Sequence, residues 1–220
     1  MSLVISIIFY QSFQEPVDFQ EILSARGLNT LMFSDPFAKL CTTALLASQA
    51  QKAIYLDLDT TFTAYFRTGL IAPANGNASS VDIYLPSEGR LVPMIKEILE
   101  SMPSSSLVIF DSINSFYNLF KSQEKSLGRL NHLLSVLIML LVRRGVETGV
   151  PVLATSMLRY RKEGEWIQSP ASRRLLQTKS AVRMMVQMEE RDSLRLEILQ
   201  HDTIAAGTEV VFKNSVVVIA

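Results

Sequence analysis

The stretch Ser104–Phe120, SSSLVIFDSINSFYNLF, decides how the rest of the chain is read. Leu107 to Phe110 form an uninterrupted apolar run that leads straight into Asp111-Ser112, and a polar segment containing Pro103 precedes it. A short continuous run of this kind is the pattern of a strand buried on both faces, as in a parallel sheet covered by helices. In open α/β sheets ligands sit outside the carboxyl ends of the strands. Asp111 therefore stands where an acid can hold a water-bridged Mg²⁺ or orient a polar group.

Upstream, the apolar segment Leu3–Tyr10 reads as a first strand, and a short helix is expected around Val17 to Ala25. Leu28 to Phe33 reads as the next strand. It leads into SDPFAKLCTTALLASQA, where Thr42 and Thr43 are placed to start a helix that continues through Ala44 to Ala50. Strand, tight loop, helix is the layout of a phosphate site, because a helix N-terminus offers free N–H groups and a positive dipole end. Ala53 to Leu58 is expected as a strand with Asp57 and Asp59 bracketing its end, residues 60 to 80 as irregular, and Val81 to Leu85 as a short strand. Glu88 to Ser101 has helical spacing, with Leu91, Ile95, Ile98 and Leu99 on one face.

Downstream, Leu127 to Arg144 reads as a long apolar helix and Pro151 to Thr155 as another buried strand. From Arg183 the pattern becomes alternating, as expected of antiparallel strands closing one edge. The order predicts an α/β fold: a mostly parallel twisted sheet flanked by helices, with antiparallel strands at the C-terminal end. The 220 residues suffice for one core and show no linker, repeat or low-complexity tract, so a single domain is expected, with residues 1–27 preceding a core of 28–213.

Composition narrows the function classes. The single cysteine, Cys41, excludes an internal disulfide framework and fits a reducing compartment. His132 and His201 are far apart, and no Cys/His cluster has zinc spacing. The opening segment lacks a basic start and a small-residue cleavage site, and Leu133–Val142 is too short to span a bilayer. An intracellular, soluble protein is expected, cytoplasmic or, in a eukaryote, nuclear. Residues 1–120 carry 6 Lys/Arg against 11 Asp/Glu, and residues 121–220 carry 15 against 10, so a polyanion would meet the second half.

Taken in order, these blocks resemble the core of the RecA/RadA/Rad51 superfamily over roughly residues 28–213. The correspondence runs through NTLMFSDPFAKLCTTALLASQ, IYLDLDTTF, LVIFDSINSFYNLF, SLGRLNHLLSVLIMLLVRRGVETGVPVLATSM, SPASRRLLQTKSAVRMMVQME and LEILQHDTIAAGTEVVF. The resemblance implies a RecA-like, P-loop-type core, a Walker B role for Asp111, the position of the water-activating acid for Asp59, and assembly with a RecA/RadA-like partner or with copies of itself.

The phosphate loop departs from the family pattern. A working P-loop reads G-x-x-x-x-G-K-[ST], in which glycines let the backbone curl round the phosphates and the lysine neutralises their charge. In register, Ser34, Lys39, Leu40 and Cys41 replace those four anchors. Lys39 one position early and Thr42 one position late are the residues that a rearranged loop could use. Met157 stands where the family places an amide side chain. Loss of the lysine removes an electrostatic clamp, so hydrolysis by this chain alone is not expected. No cofactor is expected either, with ATP and Mg²⁺ admitted only for a rearranged loop or a site completed by a partner. Without a P-loop lysine, Asp57, Asp59 and Asp111 should repel a nucleotide, and helix or turn capping is the plainer reading of all three.

The basic stretch from Arg159 to Arg183 holds Arg159, Arg161, Lys162, Arg173, Arg174, Lys179 and Arg183 against Glu163 and Glu165, with Tyr160 and Trp166 interleaved. Cations that track phosphates and aromatics that stack on bases make a nucleic-acid surface, although a solvated face has the same composition. In the family the corresponding loop lines the DNA path, and the loop KSQEKSLGR adds Lys121, Lys125 and Arg129. The resulting expectation is a non-catalytic RecA/RadA-like paralogue in homologous recombination and repair, binding single-stranded DNA in preference to RNA. The alternatives are a RecA-like subunit of an RNA-modifying ring similar to the small Elongator subunits, and an ATPase with a rearranged phosphate loop.

Overall fold

The computed structural model describes residues 19–71, 80–87, 89–121, 126–160, 166–168, 180–190 and 193–213. The strand expected over Leu3–Tyr10 lies outside these residues. In chain order the elements are α1 (Phe19–Ile22), β1 (Leu28–Phe33), α2 (Pro36–Gln49), β2 (Lys52–Asp57), α3 (Thr61–Arg67), β3 (Ser80–Tyr84), α4 (Leu91–Ser101), β4 (Leu107–Asp111), α5 (Ile113–Phe120), α6 (Leu127–Thr148), β5 (Val152–Tyr160), β6 (Trp166–Gln168), β7 (Ser180–Glu190), β8 (Ser193–Gln200) and β9 (Thr208–Lys213). Among the described residues the strands form one sheet in the order β3-β2-β4-β5-β1-β7-β8-β9, with β6 paired to β5. The pairs from β3 through β7 are parallel, and β8 and β9 extend the sheet antiparallel.

The central strands explain their own position. Every residue of β1 and β4 is buried, as expected where helices cover both faces. On one face α2 and α3 pack with Leu31, Tyr55, Ile109, Leu153, Val182, Met184 and the apolar alternation of β8. On the other, α4, α5 and α6 pack over Leu28, Ile54, Val108, Phe110 and Val152. Gly145 lets α6 approach β5 closely, since a Cβ there would lie 2.5 Å from the Val150 carbonyl oxygen and 3.0 Å from Val152 Cγ2. Gly149 then ends the helix in the left-handed conformation, φ 72°.

The sequence expectations need three corrections. Helix α2 begins at Pro36, not at Thr42, because Asp35 caps it: the Asp35 carboxylate accepts the Phe37 and Ala38 N–H groups at 2.7 and 2.9 Å, and proline suits a first helical position. Thr42 and Thr43 lie inside the helix and bond back to the Ala38 and Leu40 carbonyls. Second, part of the segment expected as irregular is helix α3, anchored by the burial of Phe62 against Tyr55. Third, β7 belongs to the parallel part of the sheet, running beside β1; only its other edge is antiparallel. Among the described residues no helix is long and apolar enough to cross a membrane.

Candidate functional site at the carboxyl edge of the sheet

Residue spacing brings the polar groups together. Side chains alternate faces along a strand, so Tyr55 and Asp57 share a face of β2, as do Ile109 and Asp111 on β4. Asp57 is the direct register partner of Asp111. Thr155, buried on β5, lies beside them, and α2 crosses this face. Asp59 follows in the turn that leads to α3.

Asp111 is the hub. It is fully buried. Its Oδ2 accepts the Lys39 ammonium at 2.7 Å and the Tyr55 hydroxyl at 2.6 Å, and its Oδ1 accepts the Thr155 hydroxyl at 2.6 Å. Tyr55 also lies 3.1 Å from Thr43 Oγ1. Lys39 is only 2% exposed; its Nζ is 3.4 Å from Asp59 Oδ2 and 5.7 Å from the centre of the Phe33 ring, a cation–π contact. Asp59 accepts the Thr61 N–H at 3.0 Å and the Ser115 hydroxyl at 3.2 Å. Asp57 Oδ2 accepts both the N–H and the hydroxyl of Thr63, at 2.7 and 2.6 Å.

The charges follow from these contacts. Burial alone would lower the Lys39 pKa, but Asp111, then Asp59, outweigh it and hold the ammonium above its ordinary 10.5. Burial would raise Asp59, yet Lys39 and the Thr61 and Ser115 hydrogen bonds bring it below the usual carboxylate value. Burial raises Asp57 by more than Thr63 lowers it, and the neighbouring carboxylates add to the rise. Tyr55 is pushed well above 10.0, first by burial and then by the Asp111 charge.

Alkaline stability should register both Lys39 and Tyr55. Each holds its proton more tightly folded than unfolded, so above about pH 10 the unfolded chain sheds protons that the folded chain keeps, and folding weakens. The urea midpoint should be level from neutral pH to about pH 10 and fall from there as pH rises through the folded values. A midpoint still level at about pH 11.5 would contradict the buried arrangement.

Of the residues singled out from sequence, Asp57, Asp59, Asp111 and Lys39 come together, with one carboxylate oxygen from each acid lying within 4.8 Å of the others. The expectation that the acids lack a balancing lysine is corrected: Lys39 supplies it from the first turn of α2. Capping describes Asp57 and Asp59 in part, since both hold the start of α3, but not Asp111. Ser34 is in the two-residue link between β1 and α2. Thr42, one helical turn beyond Ala38, is buried with its hydroxyl on a backbone carbonyl. Tyr55, Thr155 and Asp35 are not among the site residues expected from sequence, and Thr43 is expected there only as a helix start. The two-residue spacing from Tyr55 to Asp57 could have found the first, and Asp35-Pro36 is a helix-start signal.

The basic residues are placed more sparsely. Arg159 is exposed on β5, where it pairs in register with Ile167, and Tyr160 pairs with Trp166. Lys121 is exposed at the end of α5, and Arg129 is exposed in the first turn of α6. Arg161, Lys162, Arg173, Arg174, Lys179 and Lys125 lie outside the described residues. Arg183 is half-buried within β7, and its Nε has no hydrogen-bond partner. The Met157 N–H donates to Asn114 Oδ1 at 2.7 Å. His201 accepts the Thr203 and Ile204 N–H groups on Nδ1, so its Nε2–H donates to the Ile22 carbonyl at 3.0 Å and ties α1 to the turn before β9.

This arrangement of sheet and helices is the RecA-like fold. A crystal structure of the RadB recombinase superposes with a TM-score of 0.57 over 87% of this chain and 88% of that one, at 14% identity. No protein-family profile matches the chain, and no curated protein is similar to it in sequence.

Proposed function

We propose that this chain is a non-catalytic RecA-like protein that binds nucleic acid, single-stranded DNA before RNA, and assembles with a RecA-like partner or with itself in recombination and repair. One observation carries the non-catalytic reading: the chain's own side chains take up the groups that a triphosphate would need. The Asp35 carboxylate holds the first free N–H groups of α2, Pro36 has none to offer, and the Lys39 ammonium is committed to Asp111. The link from β1 to α2 has two residues, too few to wrap a phosphate with backbone amides. The residues present therefore do not fit a nucleotide.

The nucleic-acid reading rests on the cation excess from Arg159 to Arg183 and on Arg159, which is exposed where β5 leaves the same sheet edge as the acidic cluster; Arg183, half-buried within β7, adds nothing to that surface. That the superposed structure is a recombinase supports the choice of DNA. Fluorescence anisotropy with labelled oligo(dT) and with transfer RNA tests it. The expected result is saturable binding to the single-stranded DNA, weakening steeply with salt and at least about tenfold tighter than to the RNA. Equal or tighter binding to transfer RNA would favour the RNA-serving ring instead, and binding to neither would remove the nucleic-acid role.

A further inference from the structure

Among the described residues two buried side-chain atoms lack a hydrogen-bond partner, Arg183 Nε and Asp57 Oδ1, and the second lies within the acidic cluster. Asp57 is 0% exposed, Thr63 takes its Oδ2, and its Oδ1 accepts no hydrogen bond. A bare carboxylate oxygen inside a protein is costly unless a positive charge stands near it. The carboxylates of Asp57, Asp59 and Asp111 converge to within 4.8 Å, an all-oxygen set of the kind that hard divalent cations take. The positive charge supplied there belongs to the chain: Lys39 Nζ is 2.7 Å from Asp111 and 3.4 Å from Asp59, and its charge also acts on Asp57.

We infer that the Lys39 ammonium is a tethered substitute for a divalent cation, and that the three carboxylates form a metal seat which this lysine keeps closed. The ammonium brings one charge on a stem fixed to α2 and reaches Asp111 and Asp59 with hydrogen bonds, leaving Asp57 Oδ1 bare. A divalent ion brings two charges and can touch all three acids. Removing the ammonium while keeping the apolar stem should therefore open the seat to Mn²⁺ or Mg²⁺.

The inference rests on the reading of the cluster as internally neutralised and not on nucleic-acid binding, so DNA titrations and metal titrations of the same protein can fail separately. The probe is Mn²⁺, followed by electron paramagnetic resonance and by melting temperature, on the wild type and on Lys39→Met, Lys39→Arg and Lys39→Met with Asp57→Asn. Wild type and Lys39→Arg should leave Mn²⁺ free in solution. Lys39→Met should melt below wild type in chelator, recover on adding Mn²⁺, and bind the ion more tightly than wild type by a factor on the order of ten or more. The added Asp57→Asn should abolish that gain. Wild type binding Mn²⁺ as tightly as Lys39→Met would overturn the inference, and so would a gain that survives Asp57→Asn. A Lys39→Met chain that fails to fold in both chelator and Mn²⁺ would also overturn it, because the metal would then not replace the ammonium.

Discussion

Asp111→Asn should lower stability by roughly 3–5 kcal/mol, the range for breaking a buried ion pair from one side. The asparagine keeps the size and removes the charge. Three donors converge on this carboxylate, from Lys39, Tyr55 and Thr155. An amide presents one acceptor and adds donors of its own, so at least one of those groups is left facing another donor in a dry interior, and the ammonium loses its nearest counter-charge. For a chain of this size each kcal/mol is about 2–4 °C in melting temperature, so the variant should melt about 6–20 °C below wild type. Asp59→Asn is the contrast. Asp59 is 32% exposed, water can replace part of what it loses, and its cost should stay near about 1 kcal/mol. Calorimetric melts of the two variants side by side check the ranking; Asp111→Asn melting within about 3 °C of wild type would mean the hub is not under the load described.

The second large effect concerns Arg161, Lys162, Arg173, Arg174 and Lys179. If these five cations each meet a phosphate of single-stranded DNA, the affinity should fall with a log–log salt slope near −3.5, at about −0.7 per contact. That is about a hundredfold between roughly 50 and 200 mM salt. Changing all five to glutamine should flatten the slope toward zero and weaken low-salt binding by about a hundredfold or more. Loss of affinity with an unchanged slope would point to a damaged fold instead, and an unchanged affinity would return these residues to the role of a solvated face. Melting of the same variant separates the two: if the five substitutions remove phosphate contacts alone, the variant should stay within about 0.5 kcal/mol of wild type.

The class of fold was legible because its signals are long and redundant. Leu107–Phe110 is a continuous apolar run, Leu28–Phe33 is a mostly apolar segment leading into a helix-start signal, and the alternation of Ser193–Gln200 fixes which side of β8 is buried. The site was only half legible. Asp57, Asp59 and Asp111 were singled out by their position at strand ends, and their meeting follows from the parallel register. Lys39 is marked by the sequence only as a residue that a rearranged phosphate loop could use, whereas its contacts in the structure are with Asp111 and Asp59. Aligning Ser34–Cys41 to a glycine loop stretched that loop over what is the first turn of α2, whereas the local chemistry of Asp35-Pro36 starts the helix at once. With the helix begun there, Lys39 falls in its first turn and faces the sheet, where it is a counter-ion to Asp111 and Asp59. Tyr55 and Thr155 were hidden for a different reason: a tyrosine and a threonine within apolar strands carry no polar pattern until the neighbouring strand supplies the carboxylate.

The central claim is that the chain has kept the RecA-like sheet and closed its phosphate seat with its own side chains. Isothermal titration of the full chain with MgATP, paired with a phosphate-release assay in the presence of single-stranded DNA, tests it most directly. The account predicts no saturable binding up to about 1 mM nucleotide and no phosphate release above the rate without protein. Saturable MgATP binding that ADP competes away, with DNA-stimulated phosphate release, would contradict it and show that Lys39 and Asp35 give way to the nucleotide.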